Sequence, residues 1–379
     1  MKKTERFAVC MAAMATLALI FAGCSDETDE PDPGIVYDAD EWLITDTTAV
    51  RYRGTATEVK VPDGVTVIGN AAFNGCTSLE SVMIPGSVTF IGVDAFEDCG
   101  NLKTVAYGGT LAQWCALDAY FLMAYAGQVT MSDGTDLKHM PTLAIPDGAR
   151  SIGDGAFCNC AALTSVTIPA SVVIVGGRAF ADCTGLTDVT IPEGVTDIGY
   201  SAFLGCTSLA SVTIPDSVTS IGGSAFEGCT SLTEVKIPGS VTDIGSYAFS
   251  RCTSLASVTI PGSVTSIETY AFYRCTSLVS VTISEGVTDI RGYAFYECEN
   301  LKSVEIPVSV KSIGNYAFYE CTSLVSVTIS EGVTSIGSSA FSDCDNLAEV
   351  TYLGKENQWN AIEGIDKSGL SGKTITFAP

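Results

Sequence analysis

The amino-acid sequence predicts a solenoid, a fold in which one short unit is stacked on copies of itself. Three observations lead to this prediction. A cysteine recurs at a spacing of 23 residues, a phenylalanine lies three residues before each such cysteine, and the apolar residues between them repeat as well. A fixed period between about 20 and 50 residues is typical of repeat architectures and not of several globular domains. The eleven repeated cysteines are Cys76, Cys99, Cys160, Cys183, Cys206, Cys229, Cys252, Cys275, Cys298, Cys321 and Cys344.

The charge balance excludes one class of partner. The chain has 379 residues, with 43 acidic against 19 basic side chains and a net charge of -24. A chain this acidic cannot gain affinity for nucleic acid by releasing counterions from phosphates, so we expect no nucleic-acid partner. With a single histidine and no paired Cys-x-x-Cys motifs, the sequence also predicts no metal site and no cofactor.

Residues 1–23 are predicted to be a lipoprotein signal peptide. Lys2, Lys3 and Arg6 precede an uncharged stretch, a pattern typical of export signals. Phe21-Ala22-Gly23-Cys24 resembles the lipobox of bacterial lipoproteins. The resemblance implies cleavage before Cys24 and attachment of lipid to it. The alternative is an uncleaved N-terminal anchor helix.

Residues 24–34 are predicted to be an acidic tether because they contain five carboxylates and two prolines and cannot build a core. The stretch resembles the surface-export signal of lipoproteins from Bacteroidales-type bacteria. Cleavage would remove three basic residues and one acidic residue, which leaves 16 basic and 42 acidic residues and a net charge of -26. We therefore expect a protein of the outer membrane or cell surface that touches the membrane only through its lipid.

Residues 35–57 are predicted to form a β-hairpin that caps the first turn. The repeat itself is clearest in residues 209–229. Val212-Thr213-Ile214 alternates apolar and polar side chains, which predicts a short strand ended by Pro215. Ala225-Phe226-x-x-Cys229 places three apolar groups on one side of a helical or 3₁₀ turn. Neighbouring turns must cover this unit, so the strands are expected to stack in parallel.

The pattern L-x-x-V-x-I-P-x-x-V-x-x-I-G-x-x-A-F-x-x-C resembles the BspA-like leucine-rich repeat family and covers residues 58–106 and 141–351. The resemblance implies an α/β solenoid that is right-handed, with short parallel strands on the concave face and short helical or 3₁₀ turns opposite. Members of the family are typically bacterial cell-surface proteins, and several are implicated in adhesion to host matrix proteins.

Two segments depart from the period. Residues 107–140 read as a cap-like insertion, in which Tyr107 leads to Gln113-Trp114 and an Asp133-Gly134 hairpin signal follows. Residues 352–379 repeat the Tyr and Gln-Trp spacing and end in a strand pattern, so we expect a C-terminal cap of helix and strand.

The repeated cysteines are predicted to be buried free thiols. Stacked turns lie about 5 Å apart, a distance that permits disulfides. Equivalent side chains point the same way into the core, however, where a small thiol packs well. Cys158 and Cys160 are two residues apart in one turn, so one of them, Cys158, is expected to be exposed. The sequence does not decide the thiol state of Cys115 or Cys158.

Catalysis is not expected. His139, the one histidine, has no evident nucleophile to assist. A solenoid enzyme that attacks acidic polysaccharides is the remaining enzyme alternative. The outward strand positions instead repeat serine and threonine, a hydroxyl lattice with no sharp pocket.

Tyrosines form the most distinctive candidate binding site, and arginines lie near them in the sequence. Pairs spaced by three residues would share one helical face that points away from the core, and tyrosine suits contacts with proteins or sugars. The competing interpretation is stacking that only stabilises the repeat. The seven candidates are Tyr247, Tyr270, Tyr273, Tyr293, Tyr296, Tyr316 and Tyr319.

We therefore predict a monomeric surface lipoprotein that binds a macromolecule and does not catalyse. The preferred function is adhesion to, or recognition of, a host or neighbouring-cell macromolecule. The alternative is capture of glycans at the cell surface.

Overall fold

The computed structural model describes residues 41–377, and the predicted signal peptide, the tether and Cys24 lie outside this range. Its first element is an antiparallel hairpin of β1 (Trp42–Thr45) and β2 (Thr48–Tyr52). β2 pairs in parallel with a two-residue strand of the first turn, β4 (Val67–Ile68). The predicted hairpin cap is therefore confirmed.

The body is a parallel-strand solenoid of about 14 turns. One wall consists of three- and four-residue strands in three successive parallel ladders, and within each ladder a strand pairs with its equivalent in the next turn, as Ser257 does with Ser280. Isoleucine and valine of these strands point inward and the alternate residues outward. The strands of this wall are β3 (Glu58–Lys60), β5 (Ser81–Ile84), β7 (Thr104–Tyr107), β8 (Gln128–Met131), β9 (Thr142–Ala144), β11 (Ser165–Thr167), β13 (Asp188–Thr190), β15 (Ser211–Thr213), β18 (Ser257–Ile260), β20 (Ser280–Ile283), β22 (Ser303–Ile306), β24 (Ser326–Ile329) and β26 (Glu349–Tyr352).

A second wall of two-residue strands was missed by the sequence prediction. Each of its strands places one isoleucine or valine in the core and one outward residue, as Asp243 and Ile244 do. Two residues are too few for alternation to be recognised in a single sequence. Besides β4, this wall contains β6 (Phe90–Ile91), β10 (Ser151–Ile152), β12 (Ile174–Val175), β14 (Asp197–Ile198), β16 (Ser220–Ile221), β17 (Asp243–Ile244), β19 (Ser266–Ile267), β21 (Asp289–Ile290), β23 (Ser312–Ile313) and β25 (Ser335–Ile336).

The Ala-Phe-x-x-Cys segment forms the third wall, and it is a series of hydrogen-bonded turns without a continuous helix. In the turn of Phe226, residues Ser224 and Gly228 both adopt left-handed conformations, with φ of 54° and 72°. A left-handed residue interrupts a helix, because right-handed φ is needed at every position. The change of hand turns the N–H groups of Ser224, Phe226 and Gly228 toward carbonyls of the following turn, at 2.8–2.9 Å.

The core is organised around stacked phenylalanines and thiols. The rings run without interruption from Phe157 to Phe341, with centroids 5.1–5.6 Å apart. Nine of the eleven repeated cysteines donate their S–H to the carbonyl of the phenylalanine one turn earlier, as Cys252 does to Phe226 at 3.2 Å. The other two, Cys76 and Cys160, donate to the carbonyls of Tyr52 and Cys158. The thiol is thus a donor of defined direction as well as a small apolar filler.

Short helices occur where the period breaks. In residues 107–140, α1 (Leu111–Cys115) and α2 (Tyr120–Tyr125) precede β8, and α1 buries Trp114 completely. The Trp114 indole donates to the Ala156 carbonyl at 2.8 Å. The C-terminal cap contains α3 (Glu356–Trp359), a 3₁₀ turn (Ile365–Lys367) and β27 (Ile375–Phe377), which pairs in parallel with β26. The predicted helix-and-strand cap is confirmed.

Candidate functional site

Four consecutive turns bring all seven predicted tyrosines together. We call these turns A (residues 245–251), B (268–274), C (291–297) and D (314–320), and their outer surface the tyrosine patch. One row of rings contains Tyr247, Tyr270, Tyr293 and Tyr316, whose successive centroids are 4.6, 4.7 and 5.0 Å apart. A second row contains Tyr273, Tyr296 and Tyr319, with separations of 5.4 and 5.0 Å.

The two rows touch each other within each turn. The rings of Tyr270 and Tyr273 meet edge to face at 5.5 Å, and those of Tyr316 and Tyr319 do the same at 5.5 Å. The pairs are three residues apart, as predicted, but no helix carries them. The backbone places them side by side because the first tyrosine of each pair is left-handed, with φ between 58° and 61°.

A left-handed tyrosine is an unfavourable choice on backbone grounds alone. For a residue with a Cβ, this conformation costs roughly 1–2 kcal/mol. Another turn meets the same requirement with Gly155, and others use serine, as at Ser201 and Ser224. Four tyrosines in succession are therefore selected for their side chains and not for the turn that they occupy.

The rings present edges and hydroxyl groups to solvent. Within the first row the interplanar angles are 13–17°, so neighbouring rings stack and cover the ring faces between Tyr247 and Tyr316. Partial burial raises the pKa of Tyr270, Tyr293 and Tyr296. A hydrogen bond to Asp343 raises the pKa of Tyr319. These hydroxyls remain protonated and able to donate at neutral pH.

Charged side chains border the patch at one position, the residue before each repeated cysteine. Along the four turns this position reads Arg251, Arg274, Glu297 and Glu320. Arg274 makes a two-bonded ion pair with Glu297, with nitrogen–oxygen distances of 2.7 and 3.0 Å. It also lies over the Tyr273 ring, 5.1 Å from the centroid. The patch therefore begins positive and ends negative along the solenoid.

A second departure from the repeat lies on the other border of the patch. The glycine after the second-wall isoleucine is replaced in turns B and C by Glu268 and Arg291. At the equivalent Gly245 an added Cβ would come within 2.4 Å of the backbone of the preceding turn. Arg291 Nε lies 3.9 Å from a Glu268 carboxylate oxygen. The tyrosine patch is thus flanked on both sides by charges. At these two positions the preceding turn carries Gly222 and Gly228, and the following turn carries Gly337 and Asp343.

The cysteines behave as buried thiols, with one correction. All thirteen in the described range are free and twelve are buried, including Cys115. Cys158, predicted to be exposed, is 1% exposed, so that prediction is wrong. The insertion covers it: Lys138 lies close enough for its charge to act on the pKa of Cys158, which burial raises to about 12. Such thiols are protonated and unreactive at neutral pH.

The remaining candidates do not assemble into a reactive site. His139 lies in the insertion, where its Nδ1 is 2.8 Å from an Asp136 oxygen, and its side chain is 68% exposed. Within residues 41–377, His, Cys, Asp and Glu form no group of three that could hold a metal ion. On the first wall, Ser257 and Thr259 are exposed and their neighbours repeat them, which makes a regular hydroxyl lattice.

Sequence comparison defines the class of protein. A model of the BspA-type leucine-rich repeat region matches in six copies over residues 48–115, 136–256 and 242–361. The chain therefore belongs to the BspA-type leucine-rich repeat family, whose members are typically associated with the cell surface. No curated protein sequence matches the chain.

Solved bacterial structures share the fold. A leucine-rich repeat protein from Bacteroides ovatus aligns over 93% of this chain and 100% of its own, with 24% identity and a TM-score of 0.53. The pneumococcal vaccine antigen PcpA aligns over 91% and 98%, with 18% identity and a TM-score of 0.51. A protein from Eubacterium ventriosum aligns over 84% and 88%, with 20% identity and a TM-score of 0.50. Across the described residues, the helices are all too short or too polar to cross a membrane.

Proposed function

We propose that this protein is a lipid-anchored binding protein of the bacterial surface, and that the tyrosine patch is its contact site for a protein partner. The observation that supports this most directly is the contiguity of the seven rings over four turns, flanked by charges on both borders. Tyrosine and arginine are among the residues enriched at protein interfaces, and tyrosine offers a large contact area with only about two rotatable bonds.

The geometry of the rings favours a protein over a glycan. Sugar binding by aromatic residues uses ring faces, and in the first row those faces lie against one another at 4.6–5.0 Å. Edges and hydroxyls remain, and they suit polar and apolar groups of a folded surface. Adhesion to a host or neighbouring-cell macromolecule is therefore the function that we propose.

Glycan capture is the second candidate, and one observation favours it. The exposed serines and threonines of the first wall, such as Ser280 and Thr282, form a regular array of donors and acceptors. A glycan ligand would thus be expected on the first wall and not on the tyrosine patch.

The two candidates separate in a binding experiment with the full chain. We would probe arrays of matrix proteins and of polysaccharides with the wild type and with Tyr270→Ala/Tyr293→Ala. Tyr200→Ala is the control, because Tyr200 is 57% exposed and lies outside the patch. A protein ligand lost only in the double variant supports the proposal. A glycan ligand that the double variant still binds would refute the assignment of the patch.

The lipid anchor at Cys24 needs a separate test. In the native host, the wild type is expected in the membrane fraction and accessible to protease added to intact cells. Mass spectrometry of the wild type should show an N-terminus that begins at Cys24 and carries lipid, and the Cys24→Ala variant should lose this lipid. A wild-type chain that retains residues 1–23 without lipid would instead indicate an uncleaved anchor helix.

A further inference from the structure

We propose that the protein partner of the tyrosine patch is a second copy of this chain, docked antiparallel through the same patch. The inference rests on the proposed function, because it names the partner of the site proposed there. It departs from the monomer expected from the sequence. The observation behind it is that the patch is complementary to itself when its four turns are read in reverse order.

A two-fold axis that runs along the turns defines the pairing. Such an axis lies in the interface, reverses the direction of the solenoid, and leaves each position of the repeat facing the same position in the partner. Turn A then faces turn D of the other copy, and turn B faces turn C. Every contact occurs twice, as an interface between identical surfaces requires.

Under this two-fold rotation, the charged residue before each repeated cysteine faces a residue of opposite charge in the other copy. Arg251 of turn A faces Glu320 of turn D, and Arg274 of turn B faces Glu297 of turn C. All four opposed pairs of the dimer therefore join unlike charges. A two-fold axis along the solenoid would instead keep each turn opposite itself but reverse the direction within the turn, so these residues would face other positions of the repeat unless they lay on the axis, where each would face its own kind.

Two other positions of the patch obey the same rule. Glu268 of turn B faces Arg291 of turn C, and the outer turns carry Gly245 and Gly314 at this position. In the first row of rings, each tyrosine faces a tyrosine. Three positions of the repeat are thus self-complementary under one operation, and two of these positions carry charge.

The Arg274–Glu297 ion pair within one copy matches the same ion pair in the other copy. Arg274 and Glu297 are bonded to each other within one copy, so docking would place two such pairs head to tail as a square of alternating charge. Dissolved salt screens the repulsion between the two negatively charged copies beyond about 8 Å at physiological ionic strength, so the charges within the contact act over a shorter range than this.

The size of the patch indicates a weak contact. Four turns extend about 19 Å along the axis at the usual spacing of parallel strands. A contact limited to this length is small beside the roughly 800 Å² per partner that a stable dimer of standard size buries. A weak contact becomes effective where many copies face each other on two surfaces. The antiparallel pairing fits adhesion between two cells that both display the protein.

Charge reversal tests the pairing with the full chain solubilised from membranes in detergent. Two variants are needed: R251E/R274E, which makes the charged position acidic in all four turns, and E297R/E320R, which makes it basic. Each protein is prepared with two different tags, and capture of one tag measures self-association. K236E/K302E is the matched control, since both lysines are exposed on the first wall. Circular dichroism spectra verify that each variant is folded.

We expect the wild type and the control to capture themselves equally. Each charge-reversed variant should capture its own kind at least tenfold less, since like charges then face each other. A mixture of the two variants should restore capture, because acidic and basic patches again alternate. Failure of the wild type to capture itself would overturn the proposal. So would a mixture that is no better than the variants alone.

The outcome is separable from that of the proposed function. If the full chain binds a foreign protein through Tyr270 and Tyr293 but does not capture itself, the patch is a binding site and the inference of self-recognition is wrong. If it captures itself and the mixed variants restore capture, the partner is identified whatever the arrays show.

Discussion

Replacement of Tyr270 measures how far the tyrosine patch stabilises the solenoid. The Tyr270 ring contacts three other rings, those of Tyr247, Tyr293 and Tyr273. An aromatic pair contributes about 0.5–1.5 kcal/mol beyond the burial of its area, so the loss of three pairs in Tyr270→Ala should lower the free energy of unfolding by roughly 1.5–4.5 kcal/mol. Among the described residues Tyr247 contacts one of these rings, and Tyr247→Ala should cost about 0.5–1.5 kcal/mol.

A second substitution at the same position isolates the backbone cost. Tyr270 has a φ of 61°, where glycine is unstrained and alanine is not. Tyr270→Gly removes the same ring contacts but relieves the strain, so it should be about 1 kcal/mol more stable than Tyr270→Ala. This order is opposite to the usual one within regular structure, where alanine is the more stable residue.

Guanidinium unfolding of the full chain, followed by circular dichroism, provides the measurement. The dependence of the free energy on denaturant should keep the same slope in all variants, which shows that only stability has changed. Equal losses for Tyr247→Ala and Tyr270→Ala would refute the count of ring contacts. A glycine variant no more stable than the alanine variant would refute the strain.

Three further predictions concern the core. Of the cysteines in residues 41–377, only Cys76 is partly exposed, so a thiol reagent at pH 8 should label at most this one in the native protein and all of them after denaturation; extensive native labelling would contradict the buried ladder. Burial raises the pKa of Cys206 and Cys275 to about 12, so the folded protein keeps protons that the unfolded chain releases above pH 9. Stability should therefore be complete below pH 9 and fall between pH 9 and 12, by at most about 1.4 kcal/mol per thiol and pH unit; a flat melting temperature from pH 8 to 10.5 would exclude this. Trp114→Phe should lower the free energy of unfolding by about 2–4 kcal/mol, because it leaves the buried Ala156 carbonyl without its indole donor and opens a cavity. A loss below about 1 kcal/mol in a thermal or denaturant melt would show that the donor is dispensable.

The 23-residue period of the sequence was sufficient to predict the architecture of the solenoid. A strict spacing of 23 residues fixes which residues are equivalent, and equivalent residues in a solenoid are neighbours. Strand pairs such as Ser303 with Ser326 follow directly from it. The inward direction of Phe and Cys could be predicted as well, because both recur without exception in the eleven copies.

The left-handed backbone conformations of the third wall could not be predicted from the sequence. The pattern Ala-Phe-x-x-Cys fits a helical turn, and the residues that break it are not the expected glycines. Tyr270 and Arg274 are both left-handed. Their conformation is imposed by hydrogen bonds to the next turn, a contact that no local propensity encodes. The burial of Cys158 was missed for a similar reason, since the covering residues come from the insertion.

The candidate site was predicted in its membership but not in its geometry. The sequence places the seven tyrosines on consecutive turns, and the structure stacks them so that faces are hidden and edges exposed. That difference changes the ligand that we propose, because exposed faces would suit sugars, whereas exposed edges suit proteins. The sequence shows the order Arg251, Arg274, Glu297 and Glu320, in which basic and acidic residues exchange places when the order is reversed. This pattern can be interpreted only once the four positions are known to share a surface.

The hydrogen bonds between turns in the third wall all run one way, which gives this wall an electrical direction. Alternate N–H groups, such as those of Ser224, Phe226 and Gly228, point toward the C-terminal neighbour, so their dipoles add along the wall with the positive end toward the C-terminus, the reverse of an α-helix. The two ends consequently need opposite chemistry. At the start, the Tyr52 N–H donates to the Ala72 carbonyl; at the finish, carbonyls of Lys367 and Ser368 accept from the last repeat. The indole of Trp114 supplies a donor of the first kind in mid-chain, where the repeats begin again. The two caps are therefore not interchangeable, and an array of this family can be lengthened or shortened by whole turns only between a cap that donates and a cap that accepts.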